Sequence, residues 1–286
     1  MNPLAQAPDT PGILPTEWAG LPAWRLVHAS GDSATVTAHG AQLVSWVSAG
    51  RERLYFSPQS QVEARTAMRG GVPICFPQFN QRGPLPKHGI ARLLDWQWQA
   101  AGADTLALAL QDSPATRSDW DQAFALRYEV RLCPGQVQMT LHVHNTDARP
   151  LAFTGALHTY FAVQDATRAQ LTGLAGQPEW DSVADRHAPA AQTLCFGTEF
   201  DRVYHAAPGP LVLHDGAQRL TIEQSPSWAH TVVWNPGPER CATIPDLPAT
   251  GWTHMLCVEA AQVFEPCVLA PSQHWQGWQR LTLAQP

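Results

Sequence analysis

The feature that most constrains this chain is a recurring apolar-polar alternation, broken at short intervals by turn formers. Runs such as ATVTAHGAQLVSWVSA, TLALALQD, ALRYEVRLCPGQVQMTLHVHN, RLTIEQS and HTVVWN alternate with period two, as strands do when one face is buried and the other is wet. The 25 prolines and 20 glycines punctuate these runs. Amphipathic helical stretches are scarce, and only a short one near Ser118 to Phe124 is expected. The chain therefore reads as all-β, a large antiparallel β-sandwich with few short helices and with functional loops. At 286 residues such a sandwich can bury a core as one unit, so residues 1–286 are expected to form a single domain. Pro3, Pro8, Pro11 and Pro15 make residues 1–20 a poor strand or helix and predict an extended, loosely held lead-in.

Charge and cysteine usage narrow the function classes. Only 15% of residues are charged, the net charge is −6, and no lysine or arginine run is present, which argues against a nucleic-acid partner. A small anion can still be gripped locally, because pocket geometry decides that rather than net charge. No apolar run reaches membrane-spanning length, and the N-terminus lacks the basic start and apolar core of a secretory signal. Cys75, Cys133, Cys195, Cys241, Cys257 and Cys267 form no C-x-x-C pair, which predicts reduced, buried thiols and a cytoplasmic protein without a structural metal.

Residues 69–98, RGGVPICFPQFNQRGPLPKHGIARLLDWQW, differ from any ordinary hairpin. Gly70, Gly71, Pro73, Pro77, Gly83, Pro84, Pro86 and Gly89 constrain the backbone, as in a fixed loop that presents side chains at low entropic cost. The loop carries Arg69, Arg82, Lys87, His88 and Arg92, a concentration of basic groups in a charge-poor chain. Two readings follow: a solvated loop with positive charges, or an anion site in which guanidinium forks grip phosphate oxygens.

Two residues in apolar strands attract a similar double reading. His158 ends LAFTGALHTYF with parity opposite to Phe153 and Leu157, so it can face a cleft while they face the core. Glu259 lies within MLCVEAAQV, where an unpaired carboxylate is costly. Each is either a buried group satisfied by local hydrogen bonds or part of an acid-base site. Asp201, in FDRVYH, either caps a turn and pairs with Arg202 or faces a ligand. His142 and His144 share a strand face in LHVHN, but no third metal ligand stands at suitable spacing. Of the twelve tryptophans, Trp96, Trp98, Trp234 and Trp252 lie near these stretches. Glycine patterns for nucleotide binding are missing, so no cofactor is expected.

RGGVPICFPQF at 69–79, LPKHGIAR at 85–92, GALHTYF at 155–161, FDRVYH at 200–205 and CVEAAQV at 257–263 together resemble the hexose-6-phosphate mutarotases (glucose-6-phosphate 1-epimerases), a branch of the aldose 1-epimerase superfamily. The resemblance implies a galactose mutarotase-like sandwich, probed by a small sugar phosphate and needing no cofactor, and a monomer is expected. It implies His158 as general acid toward the ring oxygen and Glu259 as general base at the anomeric hydroxyl. It further implies Arg69 and Arg92 as the phosphate grip, with Lys87 nearby, His88 at sugar hydroxyls and Asp201 as a hydroxyl acceptor. Lys87 departs from a common form of the family, which often has Gln there. The alternatives are an aldose 1-epimerase on unphosphorylated hexose, which has no use for two arginines, and a non-catalytic carbohydrate-binding sandwich, which needs neither His158 nor Glu259.

Overall fold

A computed structural model of the chain describes residues 11–63, 65–99 and 102–284. As the alternation predicts, antiparallel strands dominate, in sheets of five, nine and eight strands. Helices are short, Pro114–Asp119 and Gly237–Cys241 with two 3₁₀ turns. The first begins earlier than the expected Ser118–Phe124 stretch because Ser113, as N-cap, and Thr116, in its first turn, form a capping box, while Phe124 opens a strand.

The lead-in also differs from expectation. Gly12–Trp18 is a strand paired antiparallel with Leu21–Val27; its one proline, Pro15, sits on the edge strand of the five-stranded sheet, where a missing N–H can be tolerated. Residues 1–10 lie outside the described part. The cysteines also depart in part from the reading: all six are free, but Cys195 is exposed and Cys133 and Cys267 are only partly buried.

The long hairpin Phe124–Cys133 and Gln136–Asn145 shows how sequence becomes core. Its burial alternates residue by residue, placing Phe124, Leu126, Tyr128, Val130, Val137, Met139, Leu141 and Val143 in one hydrophobic cluster. From the eight-stranded sheet Phe153, Leu157, Val233, Val258 and Ala260 join the same cluster. The next residues along those strands face the other way: Ala156, Val203, Val232, Ala261 and Val263 form a second, smaller cluster on the outer face. That split matters for function, because His158 shares its parity with Ala156, Asp201 with Val203, Trp234 with Val232, and Glu259 with Ala261.

Candidate active site

The outer face of the eight-stranded sheet is hollow where these residues meet. A cavity of about 270 Å³ is lined by Arg69, Lys87, His88, Arg92, His158, Asp201 and Glu259, joined by Tyr160, Trp234, Glu199, Arg240 and Asp246. All seven residues singled out in the sequence thus come to one place. Its size is near the lower end of small-molecule sites, ~300–1,000 Å³, and suits a single sugar unit.

His158 and Glu259 arrive from different strands. His158 directly follows the strand Leu151–Leu157, and its N–H is tied to the carbonyl of Pro73 at 3.0 Å. Glu259 sits within Met255–Leu269, opposite Val232 on the neighbouring strand. His158 Nε2 and Glu259 Oε1 lie 3.3 Å apart. The Glu259 side chain is 1% exposed, and Oε2 and His158 Nδ1 have no hydrogen-bond partner. Burial, reinforced by Arg92 and Arg69, pulls the imidazole down to about 3. Burial, reinforced by Asp201 and opposed by Lys87, pushes the carboxyl well above its ordinary range. Both shifts disfavour charge, so burial favours the neutral imidazole and the protonated carboxyl at this pair.

The 69–92 segment is clamped on its inner side. Phe76 packs its ring at 5.3 Å from Phe153 and 5.6 Å from Phe124, anchoring the loop in the core. The Phe76 carbonyl accepts from the N–H groups of Ile90 and Ala91. Gly89 passes so close, at φ +72°, that a Cβ there would meet that carbonyl oxygen at 2.2 Å, so only glycine fits. His88 Nδ1 accepts from the Asn80 N–H at 3.2 Å. A backbone N–H can only donate, so the ring proton sits on Nε2. Burial and the neighbouring His158 hold His88 neutral. Its ring stands edge-on to His158 at 5.3 Å, which makes it a hydrogen-bond donor beside the acid-base pair.

The arginines are unequally engaged. Arg69 Nε donates to Asp246 at 2.7 Å and Nη1 approaches the Tyr160 hydroxyl at 3.3 Å. Arg92 Nη2 donates to the Lys87 carbonyl at 2.7 Å, while its Nε is buried without a partner. Asp201 is in the strand Phe200–His205, opposite Trp234, and not on the turn that the sequence suggested. Arg202, its suggested partner, pairs instead with Asp181 at 2.5 Å and Glu179 at 3.3 Å, leaving the Asp201 carboxyl to the cavity, where burial pushes it up.

Arg82 stands outside the cavity. Its guanidinium lies 5.2 Å from the rings of both Trp180 and Phe264, pinning the loop tip that leads to Lys87 and His88. Two exposed cation-π contacts are worth roughly 0.5–1 kcal/mol each. Arg82→Ala should therefore lower kcat/KM by up to about 5- to 30-fold, and Arg82→Lys should recover part of the loss. Steady-state kinetics beside a melting curve check this; an unchanged kcat/KM would mean that Gln78, whose side chain bonds Asn80 and Leu85, holds the loop unaided.

Sequence reasoning missed Tyr160, Glu199, Arg240 and Asp246. Tyr160 was within reach, since it follows His158 by two and stacks on it at 4.8 Å. Trp234, one of the four tryptophans that the sequence places near the site stretches, meets both rings edge-on. Asp246 and Arg240 lie in loops and a one-turn helix without periodicity. The two strand histidines serve elsewhere: His142 faces Glu129 at 3.4 Å and His144 stacks on His274 at 3.9 Å. Trp96 is a core residue, and Trp98 stacks on Trp24.

Known proteins share this arrangement of chain. A relative from Cenchrus ciliaris named "Putative glucose-6-phosphate 1-epimerase" is 32% identical, with 85% of this chain and 79% of the relative covered. One of the same name from Salmonella typhimurium is 35% identical over 82% of this chain and 81% of its own. A crystal structure described as "a putative mutarotase (YeaD)" from Salmonella typhimurium superposes with a TM-score of 0.88 at 28% identity, covering 97% of this chain and 95% of that one. The sequence profile of the aldose 1-epimerase family matches residues 22–282, and the chain belongs to that family.

Proposed function

We propose that the chain is a hexose-6-phosphate mutarotase, which interconverts the α and β anomers of glucose 6-phosphate. The observation that carries this reading is the His158–Glu259 contact of 3.3 Å at the base of a cavity that Arg69, Arg92 and Lys87 also line. Anomerisation needs a proton removed from the anomeric hydroxyl and another delivered to the ring oxygen. Both oxygens are bonded to the same carbon, so the acid and the base must be near neighbours, as these two are. Glu259 takes the hydroxyl proton, His158 protonates the ring oxygen, the ring opens, and rotation about the C1–C2 bond precedes closure with the roles reversed. His88 Nε2–H and Asp201 face the sugar hydroxyls.

The phosphate has a second effect in this reading. Arg92 and Arg69 help to depress His158, and a bound phosphate of charge about −1.5 to −2 offsets them. Binding thereby restores proton affinity to the imidazole that must act as acid, while Glu259 gives up its proton. The relatives' names support the phosphorylated substrate, and the arginines argue against a free aldose. The single-domain organisation, the cytoplasmic setting and the monomeric state belong to the same proposal. Among the described residues no helix is long and apolar enough to cross a membrane.

The direct test is anomer exchange, followed by polarimetry on freshly dissolved α-glucose 6-phosphate and, separately, α-glucose, against the spontaneous rate. Faster equilibration of the phosphorylated sugar is expected. Acceleration of free glucose alone would select the aldose 1-epimerase, and acceleration of neither would leave a binding protein.

A pH profile tests the charge arrangement. The active pair, with its proton on His158 and none on Glu259, carries the same single proton as a neutral imidazole beside a protonated carboxyl, so kcat/KM should fall as pH rises through the limb where that proton is lost, above the ordinary carboxylate range. Lys87 lowers that carboxyl and Asp201 raises it. Lys87→Met should thus move the limb to higher pH and Asp201→Asn to lower pH. The substrate phosphate also titrates, near about 6, but identically in every variant, so the displacement between variants is the readout. Limbs that coincide would sever Lys87 and Asp201 from Glu259.

A further inference from the structure

We infer that Arg240 is a third arm of the phosphate grip and a determinant of selectivity for phosphorylated over free hexoses; this rests on the phosphate reading above. Arg240 lines the same cavity as Arg69, Lys87 and Arg92, on the wall shared with Glu199, Ile244 and Asp246. A phosphate has three terminal oxygens, more acceptor capacity than two partly committed guanidiniums fill. Arg69 already spends Nε on Asp246 and points Nη1 at Tyr160, and Arg92 spends Nη2 on a carbonyl. The side chain of Arg240 is exposed, and its hydrogen bond is a long one, 3.3 Å from Nη1 to the Thr243 hydroxyl. It is the least engaged of the three guanidiniums.

Its backbone, by contrast, is fixed. Asn235 ends the strand that carries Trp234 into the cavity. Its side chain accepts from the Gly237 N–H at 2.8 Å and donates to the carbonyls of Trp252 at 2.8 Å and Met255 at 2.7 Å. Gly237, at φ +61°, lies so close to Thr198 and Glu199 that a Cβ would come within 2.4 Å of their backbone. The turn Gly237–Cys241 is therefore locked to the cavity rim, and a flexible arm projects from a rigid base. Lys87 registers the field of Arg240 together with those of Arg92 and Arg69, which places the four cations around one locus. A charge-assisted bond formed on binding, to a group remote from the anomeric carbon, should be felt in KM rather than kcat.

The experiment compares the full chain with Arg240→Ala, Arg240→Lys and Arg92→Ala, measuring anomerisation of glucose 6-phosphate and of glucose, and inhibition of glucose turnover by inorganic phosphate. Arg240→Ala is expected to lower the glucose 6-phosphate to glucose ratio of kcat/KM about tenfold, mainly through KM, and to weaken phosphate inhibition by a similar factor. Arg240→Lys should restore much of both, since it keeps the charge. If Arg92→Ala lowers the ratio while Arg240→Ala leaves it at the parent value, Arg240 is not an arm and the phosphate reading stands. Equal losses on both sugars would assign Arg240 a structural role. A parent enzyme without preference for the phosphorylated sugar overturns both.

Discussion

Replacing His158 with Ala, or Glu259 with Gln, is expected to remove about 10²–10⁴-fold of the catalysed anomerisation, the range that a positioned proton donor or acceptor supplies, while sugar phosphate binding survives. The two residues act on oxygens of one carbon, so neither can cover for the other, and the double variant should be little worse than either single one. Retained activity in either variant would overturn the assignment. Loss of fold is a separable outcome for Glu259→Gln, because the linkage sign is known. Burial holds the folded carboxyl well above the ordinary carboxylate value. Its contribution to stability is thus fully present below that value and is lost as pH rises through the folded pKa, where a buried charge must form. Above that point the glutamine variant should melt at or above the temperature of the parent protein. An inactive but more stable variant is the signature of a group retained for chemistry at a cost in stability.

The second large effect concerns Arg92. Its buried Nε lacks a partner and its Nη2 is tied only to the Lys87 carbonyl, so its removal deletes a phosphate contact with little structural penalty. Charge-assisted hydrogen bonds contribute about 1.5–3 kcal/mol. Arg92→Ala should raise KM for glucose 6-phosphate by roughly 10- to 100-fold and lower the preference over free glucose by the same factor. Arg69→Ala is the poorer probe, because it also strands the Asp246 carboxylate, 2.7 Å away. Steady-state rates on both sugars decide the matter. Equal losses on the two substrates would make Arg92 a support of the acid-base pair, and the free-aldose reading would then gain.

What the chain itself determines is the sandwich and the side of it that works. Period-two alternation assigns Leu157, Val233, Val258 and Ala260 to the core, and the same parity sends His158, Trp234 and Glu259 to the opposite face. The glycines and prolines of 69–92 announce a fixed loop, and its basic residues announce an anion. Alternation says nothing about which strands become neighbours. His158 and Glu259 meet because Leu151–Leu157 pairs with Met255–Leu269, with Leu157 opposite Ala260, a pairing between segments far apart in sequence. Local patterning also misjudged Gly12–Trp18 and Asp201, where pairing with a neighbouring strand overrode turn chemistry. Only the tertiary structure ties Arg69 to Asp246, pairs Arg202 with Asp181 and Glu179 rather than with the Asp201 carboxyl, and brings Arg240 to the rim, since no periodicity encodes these contacts. Burial decides protonation in the same way. A carboxyl and an imidazole that would both be free to ionise in an open chain are pushed toward their neutral forms by the dry face that joins them.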